Sequence, residues 1–250
     1  MKKSIIVAIA LVFLVTTLFA GGAKEKDGYV FGSDATWPPL EFVDESGEVT
    51  GFEIDLIAAI SAKSGVTMKV RNVAWDGIFA GLANNAYDGV ASGVTVTEER
   101  KATMDFTTPI LEVTQSIIIN NGATPLKDGN DLVGKTVGVQ IGTTGNFAVE
   151  QFEGVIIKAY DDIGLAVEDL INKNVVAVVA DSIIASEFVL QNENYAEKLN
   201  VSGTVAGEVE QIAIAVKKGN TKLLNILNEN IAALIADGTI NQLKAKWNIL

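Results

Sequence analysis

The stretch Thr136-Val-Gly-Val-Gln-Ile-Gly-Thr-Thr-Gly145 decides the fold class. A short apolar strand ends at Gln140, a glycine-bearing turn follows, and Thr143 or Thr144 stands ready to cap a helix. The helix expected over 144–152 is followed by a strand over 155–160, a helix over 163–172, a strand over 175–180 and a helix over 182–191. Upstream the same alternation gives a strand over 29–32 and a helix over 52–62, with Ile57 and Ile60 at helical spacing and Gly65 as its stop. A strand over 66–73, a helix over 75–84 and a strand over 89–91 complete that first cycle. Downstream come a strand over 209–216 and two closing helices over 221–236 and 239–247. Leu243 and Trp247 share a face of the last helix, so Trp247 reads as a packing anchor. Strands alternating with helices imply an α/β protein with parallel sheets covered on both faces. No Pro-, Gly- or Ser-rich linker separates the two cycles, so the lobes they form should be joined by strands rather than by a tether.

Residues 1–20 read as an export signal. Lys2 and Lys3 precede an apolar run from Ile5 to Phe19, and small residues follow, with cleavage expected after Ala20. That run is short for a membrane span, and no later segment is long and apolar enough for one. The chain carries 31 acidic against 19 basic residues, a net charge of −12, which repels nucleic acid and anionic membranes. It contains no Cys and no His. Disulfides, thiol nucleophiles, a lipid-modified N-terminal Cys, Ser-His-Asp triads and His-ligated zinc are therefore excluded. No cofactor and no metal site is expected.

Four segments carry groups that could meet a ligand. In Ser92-Gly-Val-Thr-Val-Thr-Glu-Glu-Arg-Lys101 a strand gives way to a helix capped by Thr97. Free N–H groups at that junction attract anions, and Arg100 adds a fork suited to a carboxylate. Only Arg71 and Arg100 are arginines, which gives the choice at 100 some weight; the alternative is a surface ion pair with Glu99 or Asp105. The loop Gln140–Gly145 has the spacing of neither a Walker loop nor a dinucleotide fingerprint. Asp181 follows an apolar strand, at the edge where open α/β sheets place ligand groups; it either meets a ligand or caps the next helix. Asp34, Trp37 and Trp75 lie in loops, and each tryptophan is either buried or faces a ligand.

Taken together these segments resemble the polar amino-acid family of periplasmic solute-binding proteins. The likeness runs through Asp34-Ala-Thr-Trp-Pro-Pro-Leu-Glu-Phe-Val-Asp-Glu-Ser-Gly47, Gly51-Phe-Glu-Ile-Asp-Leu56, Trp75-Asp-Gly-Ile-Phe-Ala-Gly-Leu82, the Ser92–Lys101 segment, Asp105-Phe-Thr-Thr-Pro109, the Leu132–Gly145 segment and the Lys246-Trp247 ending. It covers essentially the whole chain after the signal.

The resemblance implies a type II, two-lobed periplasmic-binding-protein fold with two hinge strands near 110–114 and 209–213. Residues 28–109 plus 214–250 would form one lobe and 115–208 the other. It implies that Arg100, with donors around Thr95 and Thr144, holds a ligand α-carboxylate. Asp181, helped by Ser92 and Gly93, would take the α-ammonium. Trp37 and Trp75 would clamp the side chain and Asp34 would reach its far end, with Gln140 and Thr143 completing the site.

Two aromatic faces and a distal acid favour a basic L-amino acid, arginine before lysine, with glutamine as the alternative. Gln140, a position often Lys in related glutamine binders, leans the same way. The expected partners are the free amino acid and the permease of an ABC transporter, for a monomer working in the periplasm or otherwise outside the cytoplasm. One rival is an enzyme on the same scaffold, a cyclohexadienyl- or arogenate-dehydratase-like protein; without His its acid or base would have to be a carboxylate or Lys. A sensing module without a transporter is the other, and the chain's end at Leu250, without a signalling domain, speaks against it.

Overall fold

The computed structural model describes residues 28–249, so the export signal read over 1–20 lies outside the described residues. The chain opens with β1 (Tyr29–Ser33) and a small antiparallel meander of β2 (Thr36–Trp37), β3 (Glu41–Val43) and β4 (Val49–Thr50). Next come α1 (Phe52–Ser64), β5 (Met68–Asn72), α2 (Ile78–Ala83), β6 (Gly89–Val90), α3 (Glu98–Thr103) and β7 (Met104–Phe106). A short strand, β8 (Leu111–Val113), leads to β9 (Gln115–Asn120), β10 (Thr136–Gln140), α4 (Thr144–Glu150), β11 (Ile156–Tyr160), α5 (Ile163–Ile171), β12 (Ala177–Asp181), α6 (Ser182–Ser186) and β13 (Leu199–Thr204). The chain returns through β14 (Glu210–Ile212) to β15 (Ala215–Lys217), α7 (Thr221–Ala236) and α8 (Thr239–Lys246).

Two five-stranded sheets result, ordered β5-β1-β6-β15-β7 and β11-β10-β12-β9-β13. The expectation of purely parallel sheets is corrected. The pairs β1–β5, β1–β6, β10–β11 and β10–β12 are parallel, but β15 runs antiparallel to β6 and β7, and β9 antiparallel to β12 and β13. The reversed strands are β15 and β9, while β7 and β13 beyond them run in the same sense as the parallel strands. The strand expected over 209–216 is likewise divided. Its first part, β14, pairs with β8, with Glu210 opposite Val113 and Ile212 opposite Leu111; its second part, β15, joins the first sheet. The chain thus passes from one sheet to the other twice, and the two passages lie side by side.

Local chemistry explains the element ends. Helix α1 stops at Gly65, whose φ of 69° lets its N–H turn back to the Ser61 carbonyl. The helix expected from Trp75 begins only at Ile78, because Gly77 adopts a left-handed turn just before it. Both faces of the second sheet are buried. Ile117 and Ile119 of β9 pack with Val137, Val139 and Val179 on one side, while Ile118, Val178 and Ala180 face the other. Such period-two alternation between two apolar layers fixes the register of the central strands. Leu243 and Trp247 pack against the core; the Trp247 ring meets Phe42 edge-on at 5.7 Å and its Nε1 donates to Asp55 at 2.7 Å.

Candidate functional site

The carboxyl ends of the parallel strands of both sheets converge. Asp34 follows β1, Ser92 and Gly93 follow β6, Gln140 ends β10 and Asp181 ends β12. Between them lies a narrow cavity lined by Asp34, Trp37, Trp75, Ser92, Gly93 and Thr95 from the first sheet's side, together with Arg100, and by Gln140, Thr143, Thr144 and Asp181 from the second. These are the eleven residues singled out in the sequence, and the structure brings all of them to one place. A wider cleft opens beside it and shares Arg100 and Thr144.

Arg100 is positioned by its own helix. Thr97 caps α3 by accepting the Arg100 N–H at 3.1 Å, and the buried guanidinium donates to the Thr95 carbonyl at 3.0 Å and across the cavity to the Gly142 carbonyl at 3.2 Å. It lies 5.6 Å from the Trp75 ring and 4.9 Å from that of Phe79. The surface ion-pair alternative is corrected: Glu99 is exposed and Asp105 pairs with Lys218 at 2.8 Å. Two backbone carbonyls leave the guanidinium without full charge compensation, and burial lowers the pKa of Arg100.

Asp181 does not cap α6 through its side chain; its Oδ1 instead accepts from Gln115 Nε2 at 2.7 Å. Burial pushes Asp181 up to about 7. The Gln115 hydrogen bond works against the rise, the Glu210 charge adds to it, and Arg100 and the facing Trp37 side chain pull back. Burial also raises Asp34, whose carboxylate accepts from Thr36 Oγ1 at 3.0 Å and, from the opposite wall, from Gln140 Nε2 at 2.9 Å. Thr143 caps α4 through Asn146 N–H, and Thr144 Oγ1 lies 3.3 Å from Thr95 Oγ1 across the cavity. The tryptophans are both buried and lining the cavity, so the two readings of each coincide. Gly93 holds a φ of 55°, and a Cβ there would lie 3.0 Å from the Trp37 ring; only glycine lets that ring close the wall.

Sequence reasoning missed Gln115 and Glu210. Gln115 Nε2 bridges Asp181, Glu210 (3.1 Å) and Thr144 (3.1 Å), while Glu210 accepts from Thr144 Oγ1 at 2.7 Å. Their partners lie 29 to 95 residues away, so no local pattern reveals them. Among the described residues no group of His, Cys, Asp and Glu is placed to hold a metal, and no helix is long and apolar enough to cross a membrane.

The model of the bacterial extracellular solute-binding proteins, family 3, matches residues 29–249. The L-cystine-binding protein TcyJ of Escherichia coli (strain K12) is 32% identical over 90% of this chain and 84% of its own. The ABC transporter arginine-binding protein 1 of the same strain is 31% identical over 99% of each chain. An ancestral arginine-binding protein, solved bound to arginine, superposes with a TM-score of 0.83 at 37% identity, over 89% of this chain and 98% of that one.

Proposed function

Because this chain belongs to the bacterial extracellular solute-binding proteins of family 3, with their two-lobed type II periplasmic-binding-protein fold, we propose that it captures a basic L-amino acid, arginine before lysine, and delivers it to an ABC permease. One observation carries the choice of ligand: the cavity sets two buried carboxyls, Asp34 and Asp181, against one buried guanidinium, Arg100. An amino acid with a cationic side chain brings the complementary set, two cations and one carboxylate. Arg100, Thr95 and Thr144 take the α-carboxylate, Asp181 with Ser92 and Gly93 takes the α-ammonium, Trp37 and Trp75 sandwich the side chain, and Asp34 with Gln140 meets its far end. Thr143 sets the turn that presents Thr144. Relatives named for arginine and for cystine bracket the ligand class, a free amino acid.

Residues 28–109 with 214–250 act as one lobe and 115–208 as the other, and the paired strands β8 and β14 are the hinge between them. Ligand settles first on Arg100, the tryptophans and Asp34. Closure then adds Asp181 and Thr144, and that gain in contacts favours the closed form. Charge-assisted sites of this kind support micromolar to nanomolar binding, about 8 to 12 kcal/mol. The chain works as a monomer outside the cytoplasm, and no catalytic step is assigned to it.

A second reading, glutamine, draws on Gln140, whose amide already donates to Asp34; a ligand amide fits the same acceptor. A thermal-shift screen of the twenty amino acids with ornithine and citrulline separates these readings. Arginine or lysine should give the largest rise in Tm, and a larger rise with a neutral aliphatic amino acid contradicts the assignment.

A further inference from the structure

Behind the Ser92–Gly93 wall lie two carboxyls that the binding scheme above does not use. Glu41, at the start of β3, and Glu53, in the first turn of α1, are both 0% exposed. Backbone bonds hold their segments together: Glu53 N–H donates to the Leu40 carbonyl at 2.9 Å and Phe52 N–H to that of Pro39 at 3.0 Å. Glu41 Oε2 and both Glu53 oxygens have no hydrogen-bond partner, although the Gly93 N–H faces Glu53. The charges that bear on Glu41 are those of Glu53, Asp34 and Asp181, all acidic. Two neighbouring carboxylates withdrawn from water without a counter-cation cannot both stay ionised. Burial and then the charge of Glu53 hold Glu41 well above the usual carboxylate range, and burial pushes Glu53 up to about 8.

Ser92 connects this pair to the cavity. Its hydroxyl donates to Glu41 Oε1 at 3.2 Å, and its oxygen accepts the Asp34 N–H at 2.8 Å. A serine hydroxyl has one hydrogen and two lone pairs. With the hydrogen turned back to Glu41 and one lone pair given to Asp34, only a lone pair remains for the cavity that Ser92 lines.

We propose that Glu41 and Glu53 share one proton and act as positioning residues for the ammonium subsite, holding the Ser92 hydroxyl away from the cavity so that this wall accepts hydrogen bonds and donates none. The inference rests on the reading of the chain as an amino-acid binder and adds how it tells an ammonium from a neutral group. Were Glu41 to become a donor, Ser92 would turn its hydrogen into the cavity and confront the ligand's N–H groups with another donor.

The test is a calorimetric titration of the full protein with L-arginine and with its α-hydroxy analogue, in which a hydroxyl replaces the ammonium. In Glu41→Gln the amide donates to Ser92, so arginine should bind about 10- to 100-fold more weakly, the range expected for a hydrogen bond to a charged group. The hydroxy acid should bind as before or more tightly. Glu53→Gln, which supplies a permanent hydrogen where the shared proton sits, should keep the preference for arginine within about threefold. Equal weakening of both ligands in Glu41→Gln, no weakening of either, or loss of the preference in Glu53→Gln overturns the inference. If Glu41→Gln fails to fold, the Glu53→Gln result decides alone. Failure of the unsubstituted protein to bind arginine or any other amino acid would instead bring down the functional reading, and this inference with it.

Discussion

Asp34 and Asp181 stand on opposite walls of one cavity; each follows or ends a parallel strand, and each is 4% exposed. Their partners differ. Asp181 receives its amide from Gln115 on β9, the neighbouring strand of the same sheet, so that bond exists whether the walls are together or apart. Asp34 receives its amide from Gln140 on the other wall, a bond that exists only when the walls meet. Glu210 adds negative charge beside Asp181 and Asp162 beside Asp34, and each carboxyl has neutral donors, Gln115 for Asp181 and Thr36 with Gln140 for Asp34. The first site is preformed and short of positive charge, so it asks for an ammonium. On the proposed closure the second would be assembled and would accept either a cation or an amide, so selectivity between arginine and glutamine would reside there.

The largest effect should come from removing the buried cation. Arg100→Ala takes a counter-charge from Asp181 and the partner from the ligand carboxylate, and should weaken arginine binding about 1000-fold, on the order of 4 kcal/mol, with titration calorimetry as the readout. The next pair of substitutions separates the two walls. Asp181→Asn should cost about 100-fold for arginine and glutamine alike, while Asp34→Asn should cost arginine about 30-fold and leave glutamine nearly unchanged. Equal losses for both ligands at both positions would show that the two sites are not distinct.

A pH series sharpens the same contrast. Asp181 sits at about 7 and must be ionised to hold an ammonium, so affinity should fall as pH drops through 7, by at most about tenfold per unit. Asp181→Asn should flatten that dependence. Stability without ligand runs the opposite way. A carboxyl whose pKa is raised by folding stabilises most when protonated, so the Tm of the ligand-free protein should rise as pH falls from about 8 towards 5, with Asp181 and Glu53 both contributing. The smallest effect belongs to Gln140→Leu. It removes the bond between walls at Asp34 and should weaken arginine only severalfold, with a more open ligand-free shape in small-angle scattering.

Much of this was legible in local patterns. Thr97 before an acidic first turn, Thr143 before Asn146, and Gly65 after α1 announce helix ends through chemistry within four residues. Apolar strands that end in Asp181 or Gln140 likewise mark the edge of a sheet, and that edge is the cavity. What stayed hidden depends on partners far along the chain. Gln115 looks like the first residue of an apolar strand, yet its function lies in bonds to Thr144, Asp181 and Glu210. Val209 to Val216 reads as one strand because each half is apolar enough; the partners β8 and β6 divide it, and neither adjoins it in sequence. Glu41 and Glu53 appear as ordinary surface acids until the meander folds them inside.

In the proposed function a guanidinium and an acid on facing walls neutralise the two ends of an α-amino acid. Titration of the protein at pH 8 with arginine and with agmatine, which has the same side chain and cationic nitrogen but no α-carboxylate, tests it most directly. Arginine should bind with micromolar or tighter affinity and agmatine about 100-fold or more weakly, because Arg100 would be left buried without its anion. Equal affinity for the two compounds would contradict the account.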